Sequence, residues 1–341
     1  MAKKCEVVRV VIAIFASLLT LDHSNALAVE ITATSEVIRE RFESTLQRAE
    51  RGDPNAQNSV GGALAVGGGV TQDAAAAYRW LRKAAEQGHA AAQYNLYLLL
   101  RQSPSLGESS EAAMQWLQKA TDQGILPAQF SLAELYRKGR AAHDNRRERA
   151  AMYYLLAAKQ GFAAAQFYTG WCYEKGIGVN QNDVESTRWY LKAATQGHVD
   201  AQINLAVKYA QGRGVDKSLT QARRWFKRAA RQNSAVAQYN LGKLYQRAQS
   251  DEVNLVEAYV WVSLAANKGL EAAIKEQALI LSLMSDEQIK RAETLIADRS
   301  ETLNRNEAHD RQVASRRSVG ATKPISGLEA FAPEQAEAFE D

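Results

Sequence analysis

Cysteine is scarce in this chain, which holds only Cys5 and Cys172 among 341 residues. So few thiols exclude the class of small secreted domains that are held together by several disulfides. Cys172 stands between Trp171 and Tyr173, in a stretch typical of a packed helix. We expect Cys172 to be a small buried hydrophobic residue, and a redox-sensing thiol is the alternative.

An excess of charge of either sign is also missing. The 42 lysines and arginines nearly balance the 38 acidic residues, so the formal net charge is +4. Such a small imbalance over a chain of this length favours neither a nucleic-acid partner nor a charged membrane surface. We therefore expect no nucleic-acid partner.

Long apolar runs are absent except near the N-terminus. Lys3, Lys4 and Arg9 precede an almost wholly apolar stretch at residues 10–21, and the small residues of Ala-Leu-Ala end at Ala28. This order predicts a secretory signal peptide, residues 1–28, that is cleaved after Ala28. The apolar stretch is too short for a comfortable membrane span, so an uncleaved anchor is the alternative. We expect a periplasmic or secreted protein with no stable membrane insertion after cleavage.

Sequence motifs that carry chemistry are missing as well. The chain has no nucleophile elbow, no dinucleotide fingerprint and no paired-cysteine zinc pattern. The Gly-Gly-Gly-Val loop at residues 67–70 lacks the Lys-Ser/Thr that completes a phosphate-binding loop. His89 and His198 occupy a slot that holds Asp, Ile, Phe, Ser or Leu in other copies of the repeat described below. We predict no catalytic residue, no metal site and no cofactor.

The sequence has instead a repeat of 36 or 37 residues. An Ala-Gln pair and a bulky ring recur with the same period. The glutamines of the pair are Gln57, Gln93, Gln129, Gln166, Gln202 and Gln238. The rings are Trp80, Trp116, Tyr153, Trp189, Trp225 and Trp261. Two marks that stay in phase over six copies predict a stacked repeat architecture.

Each ring lies within a predicted helix. Small residues three before and four after it, such as Ala222 and Ala229 around Trp225, share its helical face. Helix-capping side chains stand seven residues before the ring, at Asp73, Ser109, Asn182, Ser218 and Asn254. Glycine, or Asn233 in one copy, stands eight residues after the ring, where a helix ends in the left-handed conformation. The spacing therefore predicts both ends of the helix.

A second helix opens on the Ala-Gln pair, and a Gly-x-Gly-Val loop such as residues 176–179 or 212–215 leads to the next copy. The copy with Tyr153 departs from this pattern. It has Arg146 in the capping position, and residues 140–143 replace the loop. We expect that loop to be irregular.

The pattern AQxNLxxxYxxGxGVxxDxxxAxxWxxKAAxxG, which covers residues 53–269, resembles that of the Sel-one-like repeat family, a relative of the tetratricopeptide repeat (TPR). The resemblance implies an all-α fold, a right-handed α-solenoid or superhelix of antiparallel helix pairs, with about six repeats. Residues 29–52 read as an N-terminal capping helix.

The segment after the repeats reads as C-terminal capping helices at residues 270–299. A capping box at Ser285–Gln288 opens the second of them, which runs to about Arg299. Residues 300–341 are predicted to be a disordered tail that adds little to stability. Its last stretch, residues 328–341, mixes acids with aromatic rings and is either a solubilising tail or a docking peptide.

The candidate binding surface is the concave face of the superhelix. Polar residues recur on the helices that open on the Ala-Gln pair. The partner-binding candidates are Asn95, Asn204, Asn240, Lys208, Lys243 and Arg247. Asparagine can donate to and accept from a peptide backbone at the same time. The alternative is that these amides bond to neighbouring repeats.

Two functions follow from these features. The first is a non-enzymatic exported scaffold or regulator that binds a protein or peptide partner. The resemblance to exported Sel-one-like repeat proteins implies roles in envelope signalling or complex assembly. The alternative is a cell-wall-directed enzyme or inhibitor, β-lactamase-like or penicillin-binding, as in cysteine-rich relatives. Those relatives carry a cysteine pair in each repeat, and this chain does not. The oligomeric state stays open.

Overall fold

The computed structural model describes the backbone of residues 23–139, 145–247 and 252–320. All regular secondary structure in these ranges is helical. The helices are α1 (His23–Glu50), α2 (Pro54–Val66), α3 (Ala74–Glu86), α4 (Ala90–Gln102), α5 (Ser110–Asp122), α6 (Leu126–Arg137), α7 (Arg146–Lys159), α8 (Ala163–Lys175), α9 (Asp183–Thr195), α10 (Val199–Gln211), α11 (Leu219–Arg231), α12 (Ala235–Arg247), α13 (Glu252–Ala266), α14 (Glu271–Leu281) and α15 (Asp286–Gly320), with a short 3₁₀ turn at Pro104–Leu106. None of these helices is both long and apolar enough to cross a membrane.

The chain forms two compact units that divide inside α5, after Trp116. In the first unit α1 packs on α2, α2 on α3 and α3 on α4. In the second unit each helix from α6 to α13 packs on the next, and α15 also packs on α13. Contacts confined to near neighbours are the packing pattern of a solenoid. The predicted all-α solenoid of antiparallel helix pairs is confirmed.

Three sequence predictions fall partly or wholly outside the described residues. Residues 1–22 of the predicted signal peptide lie outside them, and α1 begins at His23, upstream of the predicted cleavage point at Ala28. The loop at residues 140–143 and the tail beyond residue 320 lie outside them too. Cleavage after Ala28 therefore stays a prediction.

The predicted helix caps are confirmed in four copies by hydrogen bonds from backbone N–H groups to the capping side chains. The capping residues are Asp73, Ser109, Asn182 and Ser218. The predicted helix cap at Asn254 is wrong, because α13 begins two residues earlier, at Glu252. Asn233 has φ of 64° and replaces glycine at a helix end, as predicted.

The deepest core position is the residue after each ring. Trp189, Trp225 and Trp261 are buried, whereas Trp80 and Trp116 are only partly so. The residues that follow the six rings are nearly inaccessible. They are Leu81, Leu117, Tyr154, Tyr190, Phe226 and Val262. The predicted ring-centred face is therefore buried, as Ala222, Trp225 and Ala229 show, and the buried surface also extends to the residue after the ring.

A glycine in the partner helix makes room for these core side chains in several repeats. A Cβ atom at Gly170 would lie 2.8 Å from Cδ1 of Tyr190, and one at Gly242 would lie 2.5 Å from Cγ2 of Val262. Real Cβ atoms do not approach so closely, so a side chain at Gly170 or Gly242 would clash with the residue on the opposite helix. Gly170 and Gly242, each four residues after the glutamine of the Ala-Gln pair, thus leave space for the large residue after the ring.

In the Gly-x-Gly-Val loops at residues 176–179 and 212–215, the second glycine touches the backbone of the preceding repeat. Gly214 has φ of 68°, and a Cβ atom there would lie 2.1 Å from the carbonyl oxygen of Asp183. Gly178 has the same conformation and meets the carbonyl oxygen of Arg147. A side chain would be strained by the backbone angle and blocked by this contact. The loop glycines therefore fix the stacking of neighbouring repeats.

A ladder of side-chain hydrogen bonds joins the buried glutamines of the Ala-Gln pairs to a second set of glutamines, which are exposed. The glutamine after each first helix donates through Nε2 to Oε1 of the Ala-Gln glutamine one repeat earlier. The pairs are Gln87–Gln57 at 2.7 Å, Gln160–Gln129 at 2.8 Å, Gln196–Gln166 at 2.7 Å and Gln232–Gln202 at 2.9 Å. The Ala-Gln glutamines themselves donate to backbone carbonyls eight residues earlier, those of Ala49, Ala85, Ala158, Ala194 and Ala230. Gln57, Gln166 and Gln202 thus both donate and accept.

The ladder stops at the sixth repeat because Lys268 stands where earlier repeats have glutamine. Its Nζ donates to the carbonyl oxygen of Asn233 at 2.6 Å and does not reach Gln238. Gln238 is fully buried, and its Oε1 has no hydrogen-bond partner among the residues that the structure describes. A buried acceptor without a partner costs about 1–3 kcal/mol. The end of the solenoid therefore carries a local defect.

The last helix is longer than predicted. The capping box forms as expected, since Ser285 N–H donates to Gln288 Oε1 at 3.0 Å. However, α15 continues to Gly320 rather than ending near Arg299. Leu303 is buried, and Glu307 accepts a hydrogen bond from the side chain of Asn233. These contacts hold residues 300–307 on the second unit, so the predicted tail boundary at residue 300 is corrected.

The two repeat histidines cap helices. Nδ1 of His89 accepts from Ala92 N–H at 3.1 Å, and Nδ1 of His198 accepts from Ala201 N–H at 3.4 Å. Ser234 caps the equivalent position of the next repeat. The His198 ring also stacks on Phe167 with 4.8 Å between ring centroids. Only an unprotonated Nδ1 can accept the capping bond, so the neutral ring is required.

Replacing Lys268 with glutamine is expected to extend the ladder and stabilise the protein. The new amide can donate to Gln238 Oε1 and to the Asn233 carbonyl, as Gln196 does to Gln166 and Gly161. The expected gain is about 1 kcal/mol in the free energy of unfolding, the net value of one buried hydrogen bond. Urea unfolding of both proteins measures it. Lys268→Met is the control, because it removes the charge without supplying a donor. Equal stabilities of the two variants would contradict the ladder.

The His198 cap predicts a pH dependence. Burial lowers the pKa of His198 from its usual 6.5, and the nearby Asp200 carboxylate opposes this only in part. The unfolded chain therefore binds the proton first as pH falls. The stabilisation by the neutral ring is complete above the unfolded pKa and is lost as pH falls through the lowered folded pKa. Melting of the parent protein and of His198→Ser, measured between about pH 7.5 and about pH 5.5, should show the larger loss in the parent. Parallel curves would show that His198 has no such role.

Candidate partner-binding surface

The three predicted asparagines already have hydrogen bonds within the protein. In the first unit, Asn95 Nδ2 donates to Oδ1 of Asn58 at 2.9 Å, which links α4 to α2. In the second unit, Asn204 is half-buried and hydrogen-bonds to Tyr190, while Asn240 Nδ2 donates to the Val236 carbonyl at 2.9 Å. Asn95 and Asn204 therefore bond to neighbouring helices, as the alternative reading expected, and Asn240 bonds within its own helix.

Lys208 does not lie on the surface. Only 1% of this residue is exposed, and its Nζ lies 2.7 Å from Asp183 Oδ1 and 3.9 Å from Glu174 Oε1. Arg213 lies 3.1 Å from the same Asp183 oxygen and 3.7 Å from Glu174. The prediction that Lys208 contacts a partner is wrong, because its ammonium group is paired with two carboxylates inside the second unit. The lysine joins α10 to α8 and α9.

Tyr190 lies beside this cluster of charges. Its hydroxyl donates to Glu174 Oε2 at 2.8 Å, and burial raises its pKa well above the usual value. The hydrogen bond from Lys208 lowers the pKa of Asp183, with further help from Arg213. Lys208 and Asn204 are thus brought together around one buried tyrosine. The arrangement keeps every charge paired and therefore stabilises the packing of three helices.

The remaining candidates lie together on α12. Asn240, Lys243 and Arg247 follow one another at spacings of three and four residues, which places them on one helical face. Lys243 is half-buried and lies 3.0 Å from Glu276 Oε1 on α14. Arg247 is exposed. Of the predicted set, Asn240, Lys243 and Arg247 therefore form the most accessible group.

A basic helix face was missed by the sequence analysis. The arginines and lysine of α11 share one side of the helix at Arg224, Lys227, Arg228 and Arg231, and we refer to these four as the basic face. Two of them, Lys227 and Arg231, line a cavity of about 420 Å³ with residues of α13 and α15. The near-zero net charge concealed this local excess. The sequence signal was the run Arg-Arg-Trp-Phe-Lys-Arg, which contains no acid.

The lone described cysteine matches its prediction. Cys172 is 2% exposed, and burial raises the pKa of its thiol to about 12. A thiol held in this state is a poor nucleophile, since the thiolate is the reactive form. Among the described residues, no three His, Cys, Asp or Glu side chains are grouped to hold a metal ion.

Replacing Lys208 with methionine is expected to destabilise the protein by about 2–4 kcal/mol, because two partly buried carboxylates lose their main counter-charge. Methionine keeps most of the volume of the lysine stem, which limits any cavity effect. Urea unfolding provides the measurement. The control is Arg188→Met, which breaks the more exposed pair with Glu185 and should cost less than about 1 kcal/mol. Equal losses in the two variants would contradict the buried role of Lys208.

Comparison with known proteins places this architecture in a family. The Sel1 repeat model matches six consecutive segments, residues 54–89, 90–125, 126–162, 163–198, 199–234 and 235–270. Among curated proteins, no sequence matches the chain.

Solved structures give the same result. A protective antigen present in uropathogenic Escherichia coli strains, which displays an SLR fold, has a TM-score of 0.65 and 29% sequence identity to the chain. The match covers 78% of this chain and 58% of the antigen, so the chain spans less than two thirds of that protein. A Sel1 repeat protein from Oxalobacter formigenes has a TM-score of 0.53 and 28% identity, over 64% of this chain and 89% of that one. With six matched repeats and the helix-pair packing described above, the chain belongs to the Sel1 repeat family.

Proposed function

We propose that the protein is an exported, non-enzymatic scaffold that binds an extended protein segment on α12, in envelope signalling or in the assembly of envelope complexes. Sel1 repeats are a scaffold fold typical of protein interaction, and this supports the general class of function. The sequence of residues 1–28 supports export.

The observation that carries the proposal is the polar face of Asn240, Lys243 and Arg247. The Nδ2 of Asn240 bonds within its own helix, which leaves its carbonyl oxygen to accept from a ligand N–H. Arg247 is exposed and forms no ion pair with any described residue. Together these groups offer an acceptor and a cation about two helical turns apart, suited to an extended peptide with an acidic side chain.

The ion pairs of the second unit favour a scaffold over an enzyme. Lys208, Asp183, Glu174 and Arg213 are held against one another by short contacts. Groups so fully paired act in packing, because a general acid or base needs a proton that it can exchange with substrate. The proposal therefore assigns these charges to stability and the recognition to α12.

Changing Arg247 to Glu should lower partner capture by about tenfold, equal to about 1.4 kcal/mol of binding free energy, with no change in melting temperature. The measurement is recovery of bound envelope proteins on immobilised protein, quantified by mass spectrometry, beside thermal melting of the same samples. Arg188→Glu is the matched control. Arg188 is also exposed, and its ion pair lies within its own helix, with Glu185.

Equal recovery on both variants would exclude α12 as the binding surface. The enzymatic alternative is tested by incubation with a chromogenic β-lactam. Turnover that a point mutation in the second unit abolishes would replace the scaffold proposal with a hydrolase.

A further inference from the structure

A cavity of about 420 Å³ lies beside α11 in the second unit. Its lining residues are Lys227, Arg231, Trp261, Arg299, Thr302, Leu303 and Asn306. Trp261 and Leu303 are buried and form its floor, while Arg231, Thr302 and Asn306 are exposed at its mouth. Cavities of about 300–1,000 Å³ are typical of ligand sites.

The charge around this cavity is unbalanced. Arg299 is neutralised, because its two Nη atoms donate to both carboxylate oxygens of Glu257 at 2.6 and 2.9 Å. Neither Lys227 nor Arg231 has an ion-pair contact with a residue in the described ranges, and Lys227 acts only at longer range on the Glu257 carboxylate. The basic face continues beyond the cavity through Arg224 and Arg228, and α11 contains no acid. The site therefore fits an elongated anion that also has an apolar group for the floor.

We propose that residues 331–341 of this chain occupy the cavity and the basic face. Their sequence, FAPEQAEAFED, carries four acids, at Glu334, Glu337, Glu340 and Asp341, and two rings, at Phe331 and Phe339. The acids match the unpaired cations, and a phenylalanine ring matches the floor of Trp261 and Leu303. This charge and apolar complementarity selects an acidic peptide over a small anion, because the basic face is longer than the cavity.

The connection is long enough for the segment to return. Asn306 at the cavity mouth lies 14 residues before the end of α15, which is about 21 Å along the helix. The 11 residues from Gly320 to Phe331 can span up to about 36 Å when extended. The occupant is therefore within reach in the same molecule, and its effective concentration at the cavity exceeds that of a separate ligand.

A carbodiimide cross-linking experiment on the full chain tests the proposal. This reagent joins a lysine Nζ to a carboxylate as an amide, with loss of water, only when the two groups are in ion-pair contact. We expect Lys227 to be coupled to Glu334, Glu337, Glu340 or Asp341, as read by mass spectrometry of the digest. Coupling should disappear at about 1 M salt, where the Debye length is about 3 Å. Coupling of Lys243 to Glu276, 3.0 Å apart, is the internal positive control.

The variant Arg231→Glu should reduce the Lys227 coupling by about fivefold or more, because it places a repelling charge beside the segment. Arg188→Glu, outside the cavity, should leave it unchanged. A mixture of ¹⁵N-labelled and unlabelled chains identifies the source of the segment. Products with both partners from one chain support the proposal, and mixed products would show that a second copy supplies it.

Three results would overturn the inference. The first is coupling of Lys243 to Glu276 without any coupling of Lys227 to residues 331–341. The second is equal coupling of this segment to exposed Lys217, which would show unspecific contact. The third is mixed-isotope products alone. None of these results depends on whether α12 captures a partner, so the scaffold proposal and this one fail separately.

Discussion

The stacking of this protein depends on buried glutamine amides that have to both donate and accept. An amide that is removed from water without partners costs several times the net value of the hydrogen bond that it can form. Gln166 meets this requirement with the Ala158 carbonyl on one side and Gln196 on the other. The distance between repeats is then fixed, because a shifted helix would leave both ends of the amide unpaired. The ladder thus gives register to a packing that apolar contacts alone specify only loosely.

The sequence was sufficient to predict the fold because the same structural signals recur in six repeats. Ring spacing, helix caps and helix-ending glycines all pointed to helix pairs, and Asn233 followed the rule for left-handed residues. What the sequence concealed was the exact buried face. Trp189 and its neighbour Tyr190 are both large and apolar, and the close approach of Tyr190 to Gly170 becomes visible only when the partner helix is in place. Gln160, Gln196 and Gln232 also recur with the period of the repeat. Their recurrence alone does not predict a ladder, because the sequence does not show which residues they bond to.

The candidate site was less predictable for a related reason. Lys208 and Arg247 both follow the Ala-Gln mark on their helices, yet one is buried against Asp183 and the other is exposed. The difference arises from Asp183 and Glu174, acids contributed by two other helices, which no single repeat specifies. The exposure of a charge on these helices is therefore decided by the residues of neighbouring helices and not by the repeat pattern of its own helix. The basic face was missed because the net charge of the whole chain is nearly zero, although α11 contains no acid.

The last repeat is where the pattern fails and where the unusual features gather. Lys268 replaces the ladder glutamine and bonds to the Asn233 carbonyl, while the Asn233 side chain bonds to Glu307 on α15. The ladder thus ends on a helix that is foreign to the repeat, and this helix supplies Arg299, Thr302 and Leu303 to the cavity. A seventh repeat stacked here would cover that space with its own helices. Because α15 covers the end only in part, the terminal repeat has a cavity with the cations Lys227 and Arg231 at its edge. The terminal repeat is the part of a solenoid that departs most readily from the repeat pattern.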